Sequence, residues 1–171
     1  MIQGGSIMRR FIALIVFVFV SSLIIASPIK IPMKLVAGKN DGQSIGYVKA
    51  KNTRYGLLLT PHLKSLPPGV HGFHVHTNPS CKNHGLAAGG HLDPFNTGKH
   101  LGPYRNGHLG DLPVLIVNKN GTATIPVLAP RLQTKDLIGH SLMIHLHGDN
   151  YSDKPKKLGG GGERLACGVI K

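Results

Sequence analysis

The sequence contains no tryptophan, four tyrosines and five phenylalanines among 171 residues, and only seven carboxylates against twenty lysines and arginines. So few aromatics, with no recognition motif, argue against a nucleic-acid binder even though the formal net charge of +13 would suit one. Cysteine occurs twice and never as CxC, so the exposed transfer motif expected of a metal-delivery protein is missing. No internal repeat or domain boundary is evident, and residues 29–66 show no helical period. The apolar run that begins at Phe11 is short of the roughly 20 residues a membrane-spanning helix needs.

Histidine, by contrast, is abundant. Seven of the eleven fall between His71 and Asp111, in HGFHVHTNPSCKNHGLAAGGHLDPFNTGKHLGPYRNGHLGD. Phe73 and Val75 suit a strand, which would turn His74 and His76 to one face of it. His91, His100, His108 and Asp111 follow at intervals of nine, eight and three residues in a segment rich in Gly, Pro and Asn, the spacing of a loop wrapped around an ion. Neutral imidazoles suit copper, zinc, iron or nickel, and an added carboxylate favours a tetrahedral zinc site. A further HxH, His145 and His147 in SLMIHLH, offers another ligand, and spacing does not choose between the two. His62, His84 and His140 read as surface residues.

A length of 171 residues fits one domain with a substantial core. Arg9 and Arg10, the apolar run from Phe11 and small residues at Ala26 and Ser27 make residues 1–27 a cleaved secretory signal and 28–171 the mature domain. Export makes a disulfide the expected state of Cys81 and Cys167, tying the histidine-rich loop to the C-terminal strand. Closing so long a loop is worth roughly 4 to 5 kcal/mol in the chain-entropy account. KIPMKLVA, SIGYVKA and YGLLLT read as strands whose Lys34, Lys49 and Lys51 face solvent. LPVLIVNKNGTATIPVLAP reads as a hairpin turning at Asn120 and Gly121. Residues 150–162 are turn-like, and RLACGVI is a final strand. Short strands separated by turns place the chain in the all-β class, a sandwich or barrel.

At HGFHVH, GGHLDP, GKHLGP, GHLGDLP and GERLACGVI the chain resembles a copper/zinc superoxide dismutase of the secreted bacterial type, from about Ile31 to Lys171. The resemblance implies an eight-stranded Greek-key β-barrel with two long active-site loops. It implies copper bound by His74, His76, His91 and His145 and zinc by His91, His100, His108 and Asp111, one ion of each per subunit, with His91 bridging as an imidazolate. The family's reaction would follow: one superoxide reduces copper and leaves as oxygen while His91 is released and protonated, and a second reoxidises copper and leaves as hydrogen peroxide. Asp149 matches the carboxylate that links a copper-ligand to a zinc-ligand histidine, here His74 and His100. Arg164 matches the arginine that holds the anionic substrate. The family's ligand stands at His145, leaving His147 as a surface histidine. His71 matches a structural histidine, and Gly72 and Gly110 look like close-packing positions.

Strong basicity suits superoxide, an anion, and Lys154, Lys156 and Lys157 are candidates for the rim of its channel. Only KNHGLAAGG separates Cys81 from His91, shorter than the lysine-bearing loop of many secreted bacterial members, and Lys82 could substitute. The expected setting is the periplasm, where the mature form, soluble and a monomer or homodimer, would protect the cell envelope from superoxide. The same charge would favour adhesion to an anionic envelope surface. A non-enzymatic metal store is the alternative, and it would have no need of Arg164 or Asp149.

Overall fold

The computed structural model describes residues 27–171, so the expected signal segment, up to residue 26, lies outside the described residues. The first strand, β1 (Ile29–Leu35), shows why the sequence folds as it does: Ile31, Met33 and Leu35 are buried while Lys30, Pro32 and Lys34 are exposed. This alternation is the two-residue period of a sheet with one face in a core. β2 (Ser44–Thr53) and β3 (Gly56–Leu63) continue it as antiparallel neighbours. The remaining strands are β4 (Gly69–His71), β5 (Phe73–His76), β6 (Leu115–Val117), β7 (Val127–Ala129), β8 (Ser141–His145) and β9 (Arg164–Val169). Among the described residues there is no α-helix, only short 3-10 turns.

Seven strands form one curled sheet in the order β5-β8-β9-β1-β2-β3-β7, and β4 pairs with β6 in a second. Only Gly72 separates β4 from β5. Counted as one bent strand, they join the two sheets and give the eight strands expected of the barrel. The expected turn is present between β6 and β7, where Asn118 N–H donates to Thr122 O at 2.8 Å and Gly121 N–H to Asn118 O at 2.9 Å. The two strands do not form the expected hairpin: beyond the turn β6 pairs with β4 and β7 with β3, because the chain crosses there from one sheet to the other.

The barrel interior is filled by side chains from every wall, including Ile31, Met33, Val48, Leu57, Leu59, Phe73, Val75, Leu115, Leu142 and Ile144. Each such burial is worth roughly 1.5–3 kcal/mol, which is what fixes the register of the strands. A smaller cluster outside the barrel packs Val36, Ala88 and Met143 around Cys167, with Cys81 against it. Those two cysteines form a disulfide that spans 86 residues of sequence, as expected. It fastens the histidine-rich loop to β9.

The lysines expected to face solvent do so. Lys30, Lys34, Lys49 and Lys51 share the outer face of β1 and β2, with Lys30 directly opposite Lys49. Lys30 Nζ lies 4.0 Å over the ring of Tyr47, which stacks on His62 at 4.7 Å.

Candidate metal centre

Alternation along β5 sends Phe73 and Val75 into the barrel and therefore His74 and His76 to its outside, yet both histidines are buried. The covering is the chain between Thr77 and Val114. β5 is an edge strand, and this loop returns along its free edge twice: Leu92 N–H donates to Val75 O at 2.8 Å, and Val75 N–H to Gly110 O at 2.9 Å. The two returns set His91 beside His76 and Asp111 beside His74. Gly110 permits this close approach, because a Cβ there would lie 2.3 Å from Val75 O. β8, on the other side of β5, brings His145 to the same outer face.

The donor atoms converge in two adjoining groups. His74, His76, His91 and His145 each offer a ring nitrogen within 4.8 Å of the others, and His74, His91, His100 and Asp111 form a second such group. Around Asp111 Oδ1 stand His91 Nδ1 at 2.9 Å, His100 Nδ1 at 3.0 Å and His108 Nδ1 at 3.5 Å. The fourth residue expected on the zinc side, His108, is thus brought to the same carboxylate oxygen, while His74 rather than His108 completes the tighter group.

What each ring does with its other nitrogen decides whether a metal fits. His76 Nδ1 lies 2.9 Å from Gly89 O and His145 Nδ1 lies 3.1 Å from Gly162 O, so both protons sit on Nδ1. The two Nε2 atoms then face each other at 3.4 Å with lone pairs and no proton between them. Asp149 accepts from His74 Nε2 through Oδ2 and from His100 Nε2 through Oδ1, each at 2.8 Å, which turns both Nδ1 atoms into lone-pair donors. His74 Nδ1 and His108 Nδ1 are buried and form no hydrogen bond. Orphaned buried nitrogens of this kind cost about 1–3 kcal/mol each unless something else satisfies them. Facing lone pairs and orphaned nitrogens are what cations repay, and carbonyl and carboxylate partners that fix the tautomer are what ligand histidines require. The residues fit a metal pair.

Electrostatics agree for the all-imidazole group. Burial, then the neighbouring His91, lowers His74 from 6.5 to about 3; burial and His91 likewise lower His76 to about 2. Burial lowers His145 to about 4 and also depresses His91. These rings are neutral at pH 7 and available as ligands. At His100 burial opposes the charge, but the hydrogen bonds and charges of Asp111 and Asp149 outweigh it and raise the ring to about 9. Burial likewise opposes ionisation of Asp111 and Asp149, and their histidine hydrogen bonds overcome it and hold both well below the usual carboxylate range.

Arg164 opens β9 directly opposite His145. Its Nη1 donates to Gly85 O and its Nη2 to Gly89 O, both at 2.5 Å. Gly89 O is also the acceptor of His76 Nδ1, so one carbonyl places both the guanidinium and the His76 ring. His71 holds His145 O at 2.8 Å and Pro67 O at 2.9 Å through its two ring nitrogens, the structural part expected of it. His147 is exposed, and His62, His84 and His140 stand outside both groups. Among these, His84 contacts Val36 O and His140 contacts Thr77 O. Lys82, Lys154, Lys156 and Lys157 are all exposed.

Several residues that shape the site escaped the reading of the sequence. Asp153 Oδ2 accepts the His100 N–H at 2.9 Å, Tyr151 Oη accepts the Val114 N–H at 3.0 Å, and Arg131 reaches into the loop that carries His108. Nothing in their spacing marks them, because each acts across a loop-to-loop contact.

A β-barrel carrying on its outer wall one all-imidazole group and one imidazole–carboxylate group, with His74 and His91 common to both, defines a binuclear metalloprotein. The sequence model described as copper/zinc superoxide dismutase (SODC) matches residues 44–170, and the chain belongs to that family. Superoxide dismutase (Cu-Zn) 2 of Salmonella typhimurium is 58% identical over 151 residues, covering 83% of this chain and 87% of the relative. The Cu/Zn superoxide dismutase from Brucella abortus is 45% identical with a TM-score of 0.80, over 85% of this chain and 100% of that one. The monomeric copper, zinc superoxide dismutase from Salmonella enterica is 58% identical with a TM-score of 0.74, again over 85% and 100%.

Proposed function

We infer that the chain dismutates superoxide to oxygen and hydrogen peroxide at a binuclear centre, with His74, His76, His91 and His145 holding copper, His91, His100, His108 and Asp111 holding zinc, and Arg164 binding the anion. It is an oxidoreductase, and copper and zinc are its cofactors. The observation that carries the assignment is the position of His91: its Nδ1 points at Asp111, and the same ring belongs to the all-imidazole group.

Copper, when bound, supplies alternate one-electron reduction and reoxidation. The protein does the rest. The carbonyls of Gly89 and Gly162 keep protons on His76 Nδ1 and His145 Nδ1, leaving both Nε2 atoms as donors. Asp149 does the same for the Nδ1 atoms of His74 and His100. His91 uses the nitrogen opposite Nδ1 to take up a proton in the reduced half of the cycle and release it to the departing peroxide. Arg164, held by two carbonyls, presents a fixed positive charge to the anion at no cost in reorientation.

Replacing Arg164 by Ala removes a charge-assisted contact worth about 1.5–3 kcal/mol, or roughly a 10- to 100-fold loss in rate. Copper and zinc contents should stay as in the wild type, because among the described residues Arg164 bonds to carbonyls of Gly85 and Gly89 and to none of the ligand side chains. A variant with full metal and an unchanged rate would remove Arg164 from the reaction.

The same reading takes residues 1–27 as a signal peptide and the periplasm as the site of action, protecting the envelope from superoxide. Support comes from Arg9 and Arg10 ahead of the apolar run and from the disulfide. N-terminal sequencing of protein from a periplasmic extract should begin close to Pro28, and a chain starting at Met1 would contradict it. Adhesion to an anionic envelope surface is supported by Lys30, Lys34, Lys49 and Lys51, a face with no carboxylate in its strands. The solved Salmonella enterica relative, described as monomeric, favours a monomer over a homodimer.

A further inference from the structure

We propose that Arg131 is a positioning residue for the zinc side of the centre, a clamp that fixes the loop carrying His108 and Asp111 to the end of β7. This rests on the assignment of those two residues to zinc. Arg131 lies just beyond β7, after Pro130, on an element that contributes no ligand. Its half-buried guanidinium points into the segment between His100 and Asp111 and spends its donors on backbone carbonyls there. Nε donates to Pro103 O at 3.0 Å, Nη1 to Gly107 O at 3.2 Å, and Nη2 to Gly102 O at 3.4 Å and to His108 O.

Two of these contacts bear on the zinc residues, one directly and one through Gly102. His108 is itself a ligand, and its carbonyl is one of the acceptors. Gly102 offers its carbonyl to Arg131 while its N–H donates to Asp111 Oδ2 at 3.2 Å, so the clamp and the ligand carboxylate share one residue. The clamped segment has no strand or helix of its own. The edge of β5 holds this loop at Gly110, next to Asp111, and Arg131 holds the stretch from Gly102 to His108 from the other side, where β7 is part of the barrel wall. The planar fork of arginine can bond several carbonyls at once, whereas the single ammonium of lysine cannot span them. Among the described residues no carboxylate forms a salt bridge with Arg131, whose donors go to the carbonyls, although burial lowers its pKa and the nearby Asp111 charge supports its charged form.

The test compares zinc binding by wild type, Arg131→Met, Arg131→Lys and Asp111→Ala, by competition against a chelator, with cobalt(II) as a spectroscopic probe of the zinc position. Arg131→Met should bind zinc about 10- to 100-fold more weakly, the range for residues that orient metal ligands. Its cobalt absorption bands should shift, with Arg131→Lys intermediate and copper affinity changed much less. The far-ultraviolet circular dichroism and the Cys81–Cys167 disulfide should be retained. Zinc affinity and cobalt spectrum equal to wild type would overturn the proposal even if the melting temperature fell, since that would be support of the fold alone. If Arg131→Met does not fold, Arg131→Lys carries the same test, and unchanged zinc affinity there overturns it. Zinc binding by the wild type that survives Asp111→Ala would instead overturn the ligand assignment on which the clamp rests.

Discussion

Gly159 is the position where one added methyl group should damage both metals at once. The residue lies in the turn Lys157–Gly160 with φ +71, and a Cβ there would sit 1.9 Å from Asp149 Oδ1 and 2.8 Å from His100 Nε2. Real Cβ contacts do not fall below 3.0 Å, so in Gly159→Ala the carboxylate or the turn must shift by more than 1 Å. Both bonds of Asp149, at 2.8 Å to His74 Nε2 and to His100 Nε2, cannot survive such a shift together. Without the carboxylate, either ring is free to carry its proton on Nδ1, the nitrogen the metal needs. Loss of a ligand-orienting partner lowers metal affinity about 10- to 100-fold, which is roughly 1.4–2.7 kcal/mol at each site. The left-handed backbone adds about 1 kcal/mol of folding cost for any residue with a Cβ. Separate chelator competitions for copper and zinc on Gly159→Ala, beside Asp149→Ala, are the assay. Both variants should weaken both metals. If Gly159→Ala bound copper and zinc as tightly as wild type, the claim that Asp149 sets the two tautomers would be refuted.

Removing the disulfide by Cys167→Ser frees a span of 86 residues and should cost roughly 4–5 kcal/mol by the chain-entropy account, read as a lower urea midpoint of the zinc-loaded protein. A midpoint unchanged from wild type would show that the small cluster around Val36, Ala88 and Met143 holds the loop unaided. The metal-free protein should lose stability as pH falls from 6.5 toward 4. His74, His76 and His145 titrate at about 3, 2 and 4 when folded, against 6.5 when unfolded. The unfolded chain therefore takes up protons first, and acidification favours it. Melting temperatures that stayed level or rose over that interval would contradict the burial of neutral rings.

The sequence made legible what short-range order controls. The alternation in KIPMKLVA carried the barrel, because a two-residue period with lysines on one side has one stable way to sit on a core. The histidine spacing carried the ligand groups, because His74 and His76 share a strand face. Family resemblance was needed to choose His145 over His147 and to give Asp149 a role, since spacing treats both pairs alike. Gly159, Asp153, Tyr151 and Arg131 were not legible at all. A glycine in a run of four, an aspartate and a tyrosine in a polar turn, and an arginine after a proline read as turn chemistry or surface charge. Their importance arises where two loops and a barrel corner meet, for the last three across separations of 23 to 53 residues. The break of one strand into β4 and β5 at Gly72 was hidden for the same reason: a Cβ there would lie 3.2 Å from His74 Cε1 and 3.4 Å from His145 Cβ, contacts made by the folded site rather than by neighbours in sequence.

The most direct measurement of the central claim is the superoxide dismutation rate of the zinc-loaded protein titrated with copper. The two adjoining ligand groups sharing His91 predict a rate that rises in proportion to added copper and stops rising at a single copper per chain. Copper bound at that stoichiometry with no activity above that of free copper would contradict the enzyme and leave a metal store.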